Sequence, residues 1–497
     1  MTSAKRFPSG ELNEDAQAAC RLVFVLLFAF FLGNSLFRAD TFLNDGDTFW
    51  HIAAGARIWH TGSFPRVDEW SHTFLGHPWI ANGWLAELIL FGAYNLGGWR
   101  IVALVSAGTI AATYALLYLI LAPKVRLTVA VGVATTAYLF SSGHFLARPH
   151  IFSFPLLIIW FSGLVDAIEA KIPPRPYLLL VMLLWANIHG GFTLALGLAA
   201  LLGAEAVFQS DSGTRFRVAV RWGSFLVAAL ACACATPYGY QTILIALQFL
   251  GGNEAVPFIR EWQPMFGEST PGIKIFVMAL LFLALYYGVK VPFWRLVAII
   301  MLIYLMLSYV RFAPWFFAIT PILLMSPLAN QFHFLRLDTD LATNQNVFEG
   351  LARVSRKALY PISSMVMIAI VAFAFYGPAL SSRADITPAG AVDYVLEHNL
   401  RGNIYNPYDF GAYLIFRGIK TFIDSRTDQL FSEGFASSVA RTLHREPSAF
   451  VAMLQKYDIS LALVKPHSIE SAELEKSSVW TKVYSDATSQ LFVRNEL

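Results

Sequence analysis

The sequence predicts a polytopic α-helical membrane protein with a small α/β domain at its C-terminal end. Of its 497 residues, 56% are hydrophobic and 14% are charged, whereas soluble globular domains contain roughly 45 to 50% apolar residues. The mean hydropathy is +0.55. Apolar stretches of about 17 to 25 residues, long enough to cross a bilayer as helices, recur between residues 20 and 380. After residue 383, shorter helix-like and strand-like segments alternate instead.

The apolar stretches predict about eleven transmembrane helices. The fifth and sixth meet at His189-Gly190-Gly191, which predicts a tight helical hairpin. An odd number of spans would place the two termini on opposite sides of the membrane. The approximate limits of the spans are 20–40, 99–122, 126–144, 149–168, 176–189, 191–209, 218–236, 273–289, 292–310, 312–328 and 360–380.

The first apolar stretch follows a polar segment, residues 1–19, that contains Lys5 and Arg6. A secretory signal peptide has a similar beginning, but it ends at a small-residue cleavage site. No such site follows Phe37, and many further spans do. The prediction is therefore an uncleaved first helix.

The distribution of lysine and arginine predicts the orientation. If residues 1–19 are cytoplasmic, the membrane-proximal loops on that side hold about twice as many Lys and Arg residues as those on the other side, as cytoplasmic loops usually do. The transmembrane domain would then cover residues 20–382. Its long loop 39–98 and the C-terminal domain, residues 383–497, would both be extracytoplasmic.

Both extracytoplasmic regions have recognisable secondary-structure patterns. Within the loop, residues 48–60 and 80–96 are amphipathic or apolar and the loop is rich in tryptophan, which predicts helices lying in the membrane interface. The C-terminal domain reads as a small α/β unit. Its predicted segments are 389–400, 402–405, 407–417, 421–424, 448–457, 460–464, 479–485 and 490–494.

An acidic cluster, Asn44-Asp45-Gly46-Asp47, comes directly after the first span. Charge is costly near a bilayer, so charged residues held there usually have a function. Other unusual polar residues fall on the same predicted outer face, in turns between spans. The candidates for a shared site are Asp45, Asp47, His51, Arg148, His150, Asn187, His189, Glu261 and Arg311.

Transfer of a sugar from a lipid phosphate would use this set of side chains. The acceptor hydroxyl loses a proton as it attacks, so a carboxylate base is needed, and Asp45 or Asp47 would supply it. The phosphate leaving group needs positive charge, which Arg148, His150, His189 and Arg311 would supply. Asp47 precedes an apparent helix and has an alternative role as its N-cap, which favours Asp45 as the base.

The other candidates also have ordinary structural explanations. Arg148 and Arg311 lie where arginines extend to lipid headgroups. Asn187 and His189 would satisfy a tight turn, and Glu261 with Trp262 would anchor a loop at the interface. Their common side of the membrane favours a functional site.

The pattern resembles the GT-C superfamily of integral membrane glycosyltransferases and is most similar to its bacterial branch called RgtA/B/C/D-like or mannosyltransferase-like. The resemblance covers residues 20–380: a first helix, the acidic pair Asp45 and Asp47 in a long outer loop, and many further spans. It implies a polyprenyl-phosphate or polyprenyl-diphosphate sugar as donor. It also implies that Asp45 or Asp47 is the catalytic acid/base or a ligand of a divalent cation, Mg²⁺ or Mn²⁺.

A second resemblance lies in the C-terminal domain. Residues 406–413, Asn-Pro-Tyr-Asp-Phe-Gly-Ala-Tyr, followed by residues 422–426, resemble the Trp-Trp-Asp-Tyr-Gly segment that helps oligosaccharyltransferases recognise an acceptor peptide. Pro407-Tyr408 stands where that segment has two tryptophans. The resemblance implies acceptor recognition by Asp409, and the alternative is a helix started by Pro407 with Asp409 in its first turn.

These features together predict a glycosyltransferase of the bacterial inner membrane. It would take sugar from a polyprenyl-phosphate carrier among the membrane lipids and pass it to an envelope glycan, lipid or protein. A transporter or flippase of lipid-linked glycans is one alternative, although it would need polar residues near the middle of several spans. A non-catalytic assembly partner that docks through the C-terminal domain is another. No nucleic-acid partner is predicted, because the net charge of +3 is small and scattered.

Overall fold

A computed structural model describes residues 14–250, 262–265, 271–336, 345–382, 386–427, 429–431, 434–445 and 447–495. Helices dominate it, as predicted for a polytopic membrane protein. Within the described residues, six helices are long and apolar enough to cross a membrane, and the predicted total of about eleven spans stays a prediction. The six are Gln17–Phe37, Trp84–Leu121, Pro149–Glu169, Arg215–Ala233, Val310–Gln331 and Lys357–Tyr376.

Each of the predicted spans coincides with a helix. The helices of the membrane domain and outer loop are α1 (Glu14–Phe37), α2 (Ala39–Phe42), α3 (Asp47–Thr61), α4 (Trp84–Leu121), α5 (Leu127–Ser141), α6 (Pro149–Glu169), α7 (Tyr177–Ile188), α8 (Phe192–Phe208), α9 (Arg215–Ala233), α10 (Gln241–Leu250), α11 (Pro271–Tyr286), α12 (Phe293–Ser308), α13 (Ala313–Gln331) and α14 (Gln345–Tyr376). Short 3₁₀ turns cover Ser142–His144, Val310–Phe312 and His333–Leu335.

Helix α4 joins two segments that the sequence predicts separately. The helical segment predicted for residues 80–96 and the second span meet at a kink, where the backbone of Gly97 and Gly98 is not helical. Gly98 has φ of +62°, a conformation that glycine adopts without the cost of a Cβ. The kink therefore joins a helical stretch of the outer loop to the second predicted span.

Small residues allow α4 to lie at the centre of the bundle. Ala103, Ala107 and Ala111 recur on one face of α4 and are fully buried, and small residues let membrane helices approach closely. On the neighbouring α1, Phe31 is also fully buried and stacks on Tyr138 of α5 with ring centroids 4.6 Å apart.

A buried ion network joins four helices at the end of the bundle predicted to be cytoplasmic. Arg295 of α12 donates from Nε to Glu205 of α8 at 2.9 Å. Its Nη1 donates to Glu169 of α6 and to the carbonyl oxygen of Leu323 in α13, both at 3.1 Å. Arg295 and Glu205 are 3% and 1% exposed, so each needs the other to be tolerated there.

Replacing Arg295 by methionine is expected to lower the free energy of unfolding by about 3 kcal/mol, because Glu205 would stay buried without its cation. Thermal unfolding in detergent would measure the change. The double variant with Arg295→Met and Glu205→Leu removes both charges and should recover most of the loss. Equal stability of the wild type and the single variant would contradict this role.

The C-terminal region is a small sheet domain, as predicted. Its four strands have the order β1-β2-β4-β3, with β1 parallel to β2 and the other pairs antiparallel. The strands are β1 (Asn403–Tyr405), β2 (Ile459–Val464), β3 (Trp480–Ser485) and β4 (Gln490–Arg494), and the helices are α15 (Ala389–Glu397), α16 (Tyr408–Phe416), α17 (Phe435–Arg445), α18 (Phe450–Lys456) and α19 (Ile469–Lys476).

The strand-like segment at residues 421–424 does not join this sheet. Its backbone pairs with the outer loop instead. The N–H of Thr421 donates to the carbonyl oxygen of Trp70 at 2.9 Å, and the N–H of His72 donates to the carbonyl oxygen of Thr421 at 3.0 Å. Helices α17 and α19 lie where no element was predicted. The segment 421–424 thus connects the domain to the outer loop.

The outer-loop helix α3 lies between α4 and the C-terminal domain. Phe49 of α3 makes edge-on contacts with Trp99 and Tyr413, each with ring centroids 5.0 Å apart. Trp79 of the same loop is 2% exposed. Much of the apolar surface from which interfacial helices were predicted is therefore buried inside the protein. The position of these helices at the membrane interface stays a prediction.

Candidate functional site

A cavity of about 490 Å³ lies where the outer loop, several helices of the membrane domain and the C-terminal domain meet. Cavities between structural units are common ligand sites. Most of the side chains that the sequence proposed for a site converge on its wall, from segments that are far apart in the chain. These are Asp47, His51, Arg148, His150, His189 and Arg311.

Arg148 joins the two aspartates of the acidic cluster. Its Nε donates to Asp45 Oδ2 at 2.6 Å, and its Nη2 donates to Asp45 Oδ1. Its Nη1 lies 2.8 Å from Asp47 Oδ2. Thr48 Oγ1 also donates to Asp45 Oδ2, at 3.1 Å. Two carboxylates are therefore held by one guanidinium, with Asp45 in the bidentate geometry that arginine favours.

The backbone fixes Arg148 beside the acidic cluster. Arg148 precedes Pro149, the first residue of α6, and has the extended conformation that a residue before proline prefers. The N–H of Ala147 donates to the carbonyl oxygen of Phe42 at 3.1 Å. Thr48 Oγ1 donates to the carbonyl oxygen of Ala147 at 3.1 Å. The chain on both sides of the acidic cluster is thus bonded to the segment that carries the arginine.

The two aspartates differ in their access to the cavity. Asp45 is 4% exposed and lies behind Arg148, whereas Asp47 lines the cavity. The N-cap of α3 is Gly46, and no side chain caps this helix. Asp45 was preferred as the base because Asp47 was expected to be the N-cap of this helix. That expectation is wrong, because Asp47 is already the first residue of α3. Asp47 is the carboxylate of the pair that faces the cavity.

His51 and Glu87 form a buried pair on the cavity wall. His51 Nδ1 lies 3.2 Å from Glu87 Oε1, and Glu87, in the first turn of α4, is 1% exposed. A Cβ on Gly55 would lie 2.1 Å from the carbonyl oxygen of Glu87, so glycine is required for α3 and α4 to approach closely. Burial, and then the charge of Arg148, lowers the pKa of His51 well below its ordinary value, so its imidazole is neutral at neutral pH.

Three turns predicted to lie on the outer face bring further nitrogen donors to the cavity. The rings of His150 and His189 have centroids 6.2 Å apart. His189 belongs to the predicted hairpin between α7 and α8, and its Nδ1 accepts from the N–H of Gly191 at 3.1 Å. Arg311 lies over the ring of Trp262, 4.4 Å from its centroid. With Arg148, these groups form the cavity's cationic and imidazole wall.

Asn187, another predicted site residue, is not part of this wall. Asn187 Oδ1 accepts from Trp84 Nε1 at 2.8 Å, and its Nδ2 donates to the carbonyl oxygens of Leu183 and Ala235. Its amide thus joins α7 to α4 and to the chain after α9. Asn187 is not among the described residues that line the cavity. Glu261 lies outside the described residues.

The C-terminal domain supplies a further wall, with Tyr408, Asp409, Ser425, Thr427 and Gln429. Tyr408 is the first residue of α16, Pro407 is its N-cap, and Asp409 is in its first turn, as the structural alternative for this segment predicted. Asp409 pairs with Lys465. Sequence reasoning missed Thr427 and Gln429, which carry no distinctive pattern, and it included Ser425 only as part of the segment 422–426.

A fully buried arginine holds this wall against the outer loop. Arg426 Nη1 lies 2.7 Å from Asp68 Oδ1, and its Nη2 lies 2.7 Å from Asp424 Oδ2. Its guanidinium carbon lies 5.2 Å from the ring centroids of both Trp70 and Trp79. Burial alone would lower the pKa of Arg426, but the carboxylates of Asp424 and Asp68 outweigh it and raise the pKa above its ordinary value. We call these three charged residues the Arg426 clamp.

The acidic pair does not fit a bound divalent cation. Both oxygens of Asp45 accept from Arg148, and Asp47 is paired with the same guanidinium. Among the residues that the structure describes, no group of three or more His, Cys, Asp or Glu side chains has a metal-binding arrangement. Mg²⁺ and Mn²⁺ need several oxygen ligands.

Comparisons with known proteins show a similarity of fold. No protein-family model matches the sequence, and no curated protein matches it. Among solved structures, the chain is similar to the oligosaccharyltransferase of Archaeoglobus fulgidus, which was crystallised with a tethered acceptor peptide containing the NVT sequon. The TM-score is 0.53 at 11% identity, over 96% of this chain and 74% of that one. That enzyme belongs to the GT-C superfamily, and the fold of this chain is GT-C-like, as predicted.

Proposed function

We propose that the protein is a membrane glycosyltransferase that moves a sugar from a polyprenyl-phosphate donor to an acceptor on the extracytoplasmic face of the bacterial inner membrane. The observation that carries the proposal is the cavity itself. There, within a GT-C-like fold, the carboxylate of Asp47 and several cationic or imidazole groups line one chamber. Site geometry is a stronger ground for function than fold alone.

The proposed reaction assigns a task to each side of the chamber. An acceptor hydroxyl attacks the anomeric carbon, and the bond from that carbon to the phosphate oxygen breaks. The proton of the hydroxyl passes to the carboxylate of Asp47. The electron pair of the broken bond stays on the departing polyprenyl phosphate, whose negative charge is stabilised by Arg311, His150 and His189.

The chemistry of the walls suits both substrates. The lining also includes apolar residues, among them Leu194, Ile245, Leu305 and Phe312, which would contact the first isoprene units of a lipid carrier. The C-terminal domain contributes uncharged hydroxyl and amide groups, which would hydrogen-bond a sugar or its acceptor. The acceptor class is proposed as an envelope glycan, lipid or protein.

The experiment that tests this proposal follows the donor bond. Purified protein in lipid nanodiscs would receive polyprenyl phosphates carrying different labelled sugars, together with glycan, lipid and protein fractions of a bacterial envelope. We expect label to move to one fraction as free polyprenyl phosphate appears. Movement of the intact donor across a proteoliposome membrane, with its sugar–phosphate bond unbroken, would instead support a flippase.

A further inference from the structure

The acidic pair carries its own cation. In a metal site, two carboxylates on one short segment would share a divalent ion that collects further oxygen ligands. Here one guanidinium uses Nε and Nη2 for Asp45 and Nη1 for Asp47. Arginine provides this fixed fork of donors without any change of protonation.

The position of this guanidinium is determined by its surroundings. The side chain of Asp45 is 3% exposed, so its charge depends on Arg148 for compensation. The hydrogen bonds that Ala147 makes to Phe42 and Thr48 hold the backbone of the arginine segment against the acidic segment. A second cation between the carboxylates would lie a few ångströms from the guanidinium in a poorly solvated environment, where like charges repel strongly.

We infer that Arg148 takes the place of a divalent cation at Asp45 and Asp47, so that the enzyme works without a metal ion. Arg148 is a positioning residue: it neutralises Asp45 and orients Asp47 toward the cavity. The charge of the leaving phosphate is met by Arg311, His150 and His189. The activity tests of this inference rest on the proposed function, whereas the metal-binding test does not.

The first test measures metal binding and metal dependence on the full-length protein in nanodiscs. In a titration with Mn²⁺ followed by electron paramagnetic resonance, the wild type should bind no stoichiometric ion at the acidic pair. Its binding curve should therefore match that of an Asp45→Asn/Asp47→Asn double variant. Transfer should proceed at rates within about twofold after treatment with a chelator and after addition of Mn²⁺ or Mg²⁺.

The second test separates the fork of donors from the charge. Lysine keeps the charge but cannot contact both carboxylates in this geometry, so Arg148→Lys should reduce kcat/KM by about 10²-fold, and Mn²⁺ should not restore it. Arg57→Lys is the matched control. Arg57 belongs to the same outer loop and pairs with Glu69 at 2.6 Å, but it does not line the cavity, so this variant should keep its activity.

Two outcomes would overturn the inference: one Mn²⁺ bound per chain that depends on the aspartates, or transfer that disappears with chelator and returns with Mn²⁺. If no donor is consumed under any condition, the proposed function fails, and the Mn²⁺ titration still decides whether the acidic pair is a metal site. If Arg148→Lys is as active as the wild type, the positioning role of Arg148 is wrong.

Discussion

The variant Asp47→Asn is expected to lose sugar transfer by about 10²- to 10⁴-fold, the range typical for removal of a general base. The substitution keeps the shape of the side chain but removes the proton acceptor that faces the cavity. Stability should change little, because Asp45 keeps its bidentate pair with Arg148. Turnover of the labelled donor, measured together with thermal unfolding, would check both expectations.

The companion variant Asp45→Asn should behave differently. Asp45 is buried behind Arg148, so its loss should lower the midpoint of thermal unfolding and reduce transfer through misplacement of Asp47. Asp40→Asn is a suitable control, because Asp40 is an exposed carboxylate of the same segment. Normal transfer by Asp47→Asn, with transfer abolished only in a fully stable Asp45→Asn, would show that the base has been assigned to the wrong aspartate.

Replacing Arg426 by methionine is expected to lower the free energy of unfolding by about 3 to 5 kcal/mol, the cost of breaking a buried ion pair from one side. The side chains of Asp68 and Asp424 are fully buried and would lose their shared cation. Because Arg426 connects residues of the outer loop and the C-terminal domain, the variant should also expose the junction between them. Denaturant unfolding and limited proteolysis would detect the two effects.

A surface pair in the same domain provides the control for this prediction. Arg417 lies 2.8 Å from Asp393, and that carboxylate is half exposed, so Arg417→Met should cost at most about 1 kcal/mol. The clamp also orders Ser425 and Thr427 on the cavity wall, so Arg426→Met should lose transfer even at temperatures where it stays folded. Wild-type stability and turnover of this variant would contradict the role of the clamp.

The features predicted well from the sequence are those encoded locally. Apolar length alone located the helices of the membrane domain, and alternating patterns located the strands β2, β3 and β4, because these signals lie within about twenty neighbouring residues. Helix α4 was predicted as two segments, 80–96 and 99–122, and its backbone is not helical where they meet, at Gly97 and Gly98. Helix ends are uncertain by a residue or two, so the sequence did not show that Asp47 is the first residue of α3 rather than its N-cap.

The features missed are those made by pairs distant in the chain. Arg426 and Asp68 are 358 residues apart, and Arg148 and Asp45 are 103 apart. The sequence proposed Asp45 and Arg148 for one site but not as a pair, because an arginine at a membrane face is also explained by contact with lipid headgroups. The predicted topology placed the candidate residues on one side of the membrane, but only the folded chain shows which of them meet.

The most direct measurement is a structure of the protein in nanodiscs with a polyprenyl phosphonate sugar that cannot be transferred. The proposed function predicts the phosphonate at His150, His189 and Arg311, the lipid along the apolar wall, and the anomeric carbon on the side of Asp47. A sugar headgroup bound outside this cavity, or at the end of the bundle that holds Arg295, would contradict it.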